Sequence, residues 1–163
     1  GNDRRPGKAC LVANILRHGG AGLCEVGEEI NRWLGEASIA GSLAPTLPAR
    51  ERGITEVVRM LNQMSTWARD SSNDPSQIYR VGLNTTRLLL SLGDLLIGWL
   101  LLRHAAVAQD AAERGGSKDA FFYQGKIAAA QYFAQTVLPE LSARATTVTA
   151  TNDDAMELDQ AAF

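Results

Sequence analysis

Neither charge nor cysteine gives this chain an obvious chemistry. Sixteen Lys plus Arg stand against eighteen Asp plus Glu, a formal net charge of -2. Without a basic excess, the electrostatic footprint of a nucleic-acid binder is missing, so DNA and RNA are not expected partners. Cys10 and Cys24 are the two cysteines among 163 residues. They are too few for a disulfide framework, and no paired Cys or His lies at zinc-ligand spacing. That usage fits a reducing, cytoplasmic compartment. His18 and His104 both lack a Glu three positions before them, so the Glu-x-x-His pairs of a di-iron bundle are absent and no metal is expected. Cys10 or Cys24 with His18 is the one local nucleophile–base pairing, and it has no orienting third group. Gly19-Gly20-Ala21-Gly22 follows no strand and precedes no Lys-Ser or Lys-Thr, so it reads as a helix breaker rather than a phosphate loop. Lysine is scarce too: thirteen Arg accompany three Lys in an Ala- and Gly-rich chain, which reads as GC-rich bacterial coding. The opening GNDRRPG lacks the apolar centre of a signal peptide and reads as a linker.

The longest apolar run, Leu88 to Leu102, is LLLSLGDLLIGWLLL. It falls short of the roughly 20 residues that span a bilayer, and it contains a carboxylate, so the expectation is a buried core helix. Buried charges need partners, so Asp94 is expected to pair with an Arg or Lys from another helix; the alternative is a functional acid in an apolar setting.

What the chain does have is helical periodicity. Leu23, Val26, Ile30, Trp33 and Leu34 form the stripe of a first predicted helix, with Glu25, Glu28, Glu29 and Arg32 between them. Ser38 to Pro48, with Gly41, Pro45 and Pro48, reads as a loop. Ile54, Val57, Val58, Leu61, Met64 and Ala68 mark a second helix, with Arg50 and its charged neighbours largely off the stripe. Asp74-Pro75 signals the start of a long third helix, whose stripe is Leu88, Leu92, Leu95, Leu96, Trp99 and Leu102, and Gly115-Gly116 signals its stop. Ser117 offers a cap for a fourth, along which Tyr123, Ile127, Ala130, Ala134, Val137 and Leu141 recur, broadened by Phe122 and Phe133. Pro139 should kink that helix or end it early. Trp33, Trp67 and Trp99 sit on separate helices and are expected to pack rather than bind. Beyond Thr146-Thr147 the chain turns polar, and Met156 to Phe163 reads as a short docked tail. No run alternates as a strand. The expectation is all-α: an up-and-down bundle of about four main helices.

The stretches IYRVGLNTTRLLLSLGDLLIGWLLLRHAAVA, FFYQGKIAAAQYFAQTVLPEL and DDAMELDQAAF, in that order, resemble the extra C-terminal helical region of one bacterial subgroup of acyl-CoA dehydrogenases. The likeness covers Ile78 to Phe163 and extends more loosely to the first two helices. Residues 1–20 match poorly, and 21–163 are expected to form one helical-bundle domain. The resemblance implies a parent flavoprotein whose upstream domains bind FAD and remove hydrogens from the α and β carbons of an acyl-CoA with a glutamate as base. The Glu-Gly-Thr segment of that glutamate and the Gln-x-x-Gly-Gly segment of the flavin domain do not occur here. The chain is therefore expected to hold no catalytic, cofactor-binding or metal-binding residue and to be inert alone. Its implied partners are the catalytic domains of its parent and further copies in a homo-oligomer. Asp94, Trp99, Tyr123, Lys126 and Phe133 are the structural or interface candidates. Two rival readings are a free-standing module that binds a partner helix, and a bundle that binds CoA or acyl chains in a cavity among Leu92, Leu96, Trp99 and Phe133.

Overall fold

The computed structural model describes residues 41–115, 119–154, 156 and 158–162, together with Glu25, Glu28 and Arg32. These three lie in helix and are exposed, as expected of the polar side of the first predicted helix. The apolar stripe of that helix, both cysteines, His18, the Gly19–Gly22 breaker and the Ser117 cap lie outside the described residues.

A 3₁₀ segment, Gly41–Thr46, leads into α1, Leu47–Asp70; then follow α2, Gln77–Glu113, α3, Ala120–Thr136, and α4, Glu140–Thr149. The described residues contain helix and turn without a strand, so the all-α bundle read from the sequence is what the chain forms. The expected loop before α1 is instead this 3₁₀ turn running into helix. Pro48 sits in the first turn of α1, where its missing N–H costs nothing. Thr46 Oγ1 donates to the Leu43 carbonyl at 2.6 Å, and Leu43 is buried.

Asp74 organises the entry to α2. The Ser76 N–H and hydroxyl donate to its Oδ1 at 3.0 and 2.7 Å, and Gln77 Nε2 donates to Oδ2 at 2.7 Å. The far end stops at Gly115, whose φ of 89° is one that glycine adopts without strain. α3 and α4 form one rod broken at Pro139. The Val137 and Leu138 N–H groups both return to the Phe133 carbonyl, at 2.9 and 3.3 Å, and the chain re-enters helix at Glu140. The break lets α3 lie along α2 while α4 swings onto α1.

The main core gathers Val57, Met60, Met64 and Trp67 of α1, Val81, Leu88 and Leu95 of α2, and Ala134, Leu138, Leu141, Ala145 and Val148 from the broken rod. A smaller cluster of Leu43, Leu102, Ala105 and Ala130 closes one end. Gly98 and Gly53 lie against neighbouring side chains. A Cβ on Gly98 would stand 3.3 Å from Leu138, and one on Gly53 would stand 3.1 Å from Leu141.

Several stripe assignments shift. Val58, Leu96 and Phe122 are exposed, whereas Met60 and Trp67 are core. Helical spacing defines apolar directions but not which of two adjacent directions meets a neighbour. Arg50, expected off the stripe, occupies it one turn before Gly53. Its side chain is 11% exposed, its Nε reaches no acceptor, and the Glu51 carboxylate is 3.9 Å away. Burial lowers its guanidinium pKa, which Glu51 partly offsets. The tail docks differently from expectation. Arg80 Nη2 lies 2.6 Å from Asp153 and buried Asn84 donates to Thr151 Oγ1 at 2.9 Å, while Met156 and Leu158, expected in a docked tail, are exposed.

Candidate functional site

α2 has two apolar sides. One is the core face: Val81, Leu88, Leu95 and Leu102, joined by Asn84, Thr85 and Ser91, whose polar groups are satisfied within the helix or by Thr151. The other faces away. Tyr79, Leu83, Leu90, Ile97, Leu100 and Val107 are between 40% and 70% exposed, and an added Cβ on Gly93 would meet nothing within 4 Å. These positions recur at three-, four- and seven-residue steps, the spacing of a seam for another helix. Sequence reasoning had treated the apolar run as one stripe and missed this second face, although residue spacing alone defines it. The run also belongs to a 37-residue helix that is long and apolar enough to cross a membrane, so its shortness excludes nothing; its core face is packed inside the bundle.

The five candidate residues do not converge. Asp94 accepts from Arg144 Nη1 at 2.6 Å, and Arg144 Nη2 reaches Glu140 at 3.1 Å, which ties α2 to α4. Trp99 is half-buried beneath Arg103, whose guanidinium carbon is 5.1 Å from the ring centre. At the start of α3, Tyr123 meets Phe122 edge to face at 6.0 Å, and the Lys126 ammonium stands 5.1 Å over the Phe122 ring. Phe133 packs against the main core beside Gly98. Leu92 and Phe133 pack against the core while Leu96 turns outward, so the residues named for an acyl cavity do not share one lining.

Two further tethers join distant segments. Arg80 with Asp153 holds the exit from α4, and Gln131 Nε2 donates to the Ser42 carbonyl at 2.7 Å while Ser42 Oγ donates to Gln109 at 3.0 Å. Sequence offered no local signal for partners so far apart. Asp74 has its carboxyl held below the usual range, first by the Gln77 and Ser76 side chains and then by the Ser76 N–H. It is a helix-entry group on the surface. Among the described residues, no three His, Cys, Asp or Glu side chains gather where they could hold a metal. A cleft of about 490 Å³ opens at the end of α2 between Val107, Asp110, Ala111, Arg114 and Gly115, wide to solvent. The arrangement is one of packing faces and tethers.

Residues 25–159 match the family described as acetyl-CoA dehydrogenase C-terminal like. The chain is 36% identical over 150 residues, 91% of its length, to the broad-specificity linear acyl-CoA dehydrogenase FadE5 of Mycobacterium tuberculosis (strain ATCC 25618 / H37Rv). It is 32% identical over 145 residues, 88% of its length, to the 3-methylmercaptopropionyl-CoA dehydrogenase of Ruegeria pomeroyi (strain ATCC 700808 / DSM 15171 / DSS-3). It spans about a quarter of each relative, 24% and 23%.

Proposed function

Because this chain belongs to the acetyl-CoA dehydrogenase C-terminal-like family, we propose that it is the C-terminal helical domain of a bacterial, cytoplasmic acyl-CoA dehydrogenase and serves that enzyme by packing and assembly. The match across 135 consecutive residues, 25–159, carries the reading. The parent would oxidise an acyl-CoA thioester between its α and β carbons, with FAD, when bound, taking up the two electrons. This reading assigns that group to the parent's catalytic domains. A flavin ring needs an enclosed slot with amide donors at its edge, whereas the cleft at Arg114 and Gly115 is open and formed at one helix end.

The residues of this domain then have structural duties. Asp94 with Arg144, and Arg80 with Asp153, hold α4 and the segment after it against α2. Gly98 brings α2 against the broken rod. The two long rods thereby present the outward side of α2 as a rigid surface to the catalytic domains or to further subunits.

The test compares the full-length protein that carries this chain with the 163-residue chain alone. The full-length protein should carry a visible flavin spectrum and reduce an electron acceptor only when acyl-CoA is supplied, and the isolated chain should do neither. Turnover by the isolated chain, or a colourless, inactive full-length protein, would overturn the reading.

A further inference from the structure

We propose that the segment 23–34 lies along α2 beside Trp99 and Arg103, closing the bundle on that side and fastening it to the chain that precedes it. The contact is internal to this domain and independent of the parent's activity.

The segment offers one apolar side. By spacing, Leu23, Val26, Ile30, Trp33 and Leu34 share a helical stripe. Glu25, Glu28 and Arg32 are in helix and exposed, and at about 100° per residue they fall opposite that stripe. A helix with one side in water needs an apolar seat for the other. The family match begins at residue 25, which makes the segment part of this domain.

The point where the chain enters the fold limits the choice of seat. Gly41 stands against the Gln109 side chain, and Ser42 bonds to Gln109 and Gln131. Six residues, 35–40, separate the segment from Gly41 and reach at most about 25 Å. Trp99 lies ten residues before Gln109, ~15 Å along α2, and is within that reach. The outer sides of α1 and α4 are polar: Glu51, Arg52, Thr55 and Arg59 are exposed on one, Thr146 and Thr147 on the other.

α2 carries the marks of the contact. Trp99, Arg103 and Gln109 each make a further hydrogen bond, ion pair, ring contact or electrostatic interaction, and they make it within this chain. The three follow one another back from the entry of Gly41, which is the path a segment preceding residue 41 takes along α2. Half-buried Trp99, with the Arg103 guanidinium 5.1 Å from its ring centre, gives the seat an aromatic floor and a cation at its edge. Glu29 and Trp33 are one turn apart on the segment, as Trp99 and Arg103 are on α2. An aromatic pair, Trp33 with Trp99, and an ion pair, Glu29 with Arg103, then join the two helices.

The probe is Glu29→Cys with Arg103→Cys in the full-length protein, with Cys10 and Cys24 replaced by serine. It is treated with a short bis-maleimide, run on a denaturing gel, digested and analysed by mass spectrometry. The peptides holding positions 29 and 103 should be joined while the protein still runs at one chain mass. Glu29→Cys with Ala143→Cys, on the exposed side of α4, should give no joined peptide. Adding Ile30→Asp and Trp33→Asp should abolish the link and leave the position-103 thiol open to a simple maleimide. If the paired cysteines loosen the contact, charge exchange tests it in their place: Glu29→Arg and Arg103→Glu should each lower the melting temperature, and the two together should restore it. No joined peptide above the Ala143→Cys control in a folded protein, together with additive charge variants, overturns the contact. A link that joins two copies at twice the chain mass overturns it as well. So does a position-103 thiol that stays shielded after Ile30→Asp and Trp33→Asp, because the preceding domains would then be its cover.

Discussion

Placing the same leucine at two glycines of α2 isolates what close helix packing contributes. Gly82 is exposed and a Cβ there meets nothing within 4 Å, whereas a Cβ on Gly98 stands 3.3 Å from Leu138 Cδ2 and 3.5 Å from Phe133 Cε1. Gly82→Leu and Gly98→Leu gain the same helix propensity, about 0.7 kcal/mol. Gly98→Leu must also place three more carbons where the first is already tight. Overpacking of this kind costs about 1–3 kcal/mol. The two variants should therefore separate by about 2 kcal/mol, with Gly82→Leu above the starting chain and Gly98→Leu below it. Gly98→Ala should fall between them, because only the flexible end of Leu138 has to give. Urea unfolding followed by far-ultraviolet circular dichroism reads this directly. With a slope of about 2 kcal/mol per molar urea, the midpoints of the two leucine variants should differ by ~1 M at unchanged slope. If both variants gain stability together, α2 does not approach Leu138 as described, and the placement of the broken rod is wrong.

Asp94 and Arg144 should be energetically coupled. Their side chains are 23% and 25% exposed, so a double-mutant cycle with Asp94→Asn and Arg144→Gln is expected to return about 1–2 kcal/mol, between an exposed and a buried pair; a value near zero would refute the tie between α2 and α4. The entry to α2 should be acid-sensitive. The Asp74 carboxyl is held below its usual value in the folded chain, so its contribution is present above the unfolded value of about 3.9 and is lost as pH falls through the lower folded one. Asp74→Asn should lower the melting temperature at neutral pH and flatten its fall below about pH 4; an unchanged acid limb would show that the Ser76 and Gln77 hydrogen bonds do not select the ionised form.

The all-α architecture, the Asp74-Pro75 entry, the Gly115 stop and the break at Pro139 were legible because each is written in a few adjacent residues with one strong conformational consequence. Proline removes a donor, glycine accepts a positive φ, and a carboxylate collects orphan N–H groups. The facing of each helix was less legible. Val57 and Val58 on α1, or Leu95 and Leu96 on α2, lie on adjacent apolar directions, and the choice is made by helices distant in sequence. The Arg80–Asp153 and Ser42–Gln131 tethers were illegible for the same reason, since they join residues 73 and 89 positions apart.

α2 shows how a correct local reading can still miss a surface. Its run of leucines was rightly expected in a core, and Leu88, Leu95 and Leu102 are there. A helix apolar all round, however, is one with cover on every side, and the described elements of this chain cover only part of it. Asn84, Thr85 and Ser91 face inward and find partners, while Leu83, Leu90, Ile97 and Leu100 face outward. Hydrophobicity alone would reverse those positions. The inversion is stable because the inward polar groups bond to helix carbonyls or to Thr151, so burying them costs little. The outward leucines gain nothing until another surface covers them. Among the described residues the inner face thus supplies the free energy of folding, while the outer face contributes little against the elements that pack around it. Truncating an inner leucine should therefore lower stability at every protein concentration, whereas truncating an outer one should act only where the partner surface is engaged.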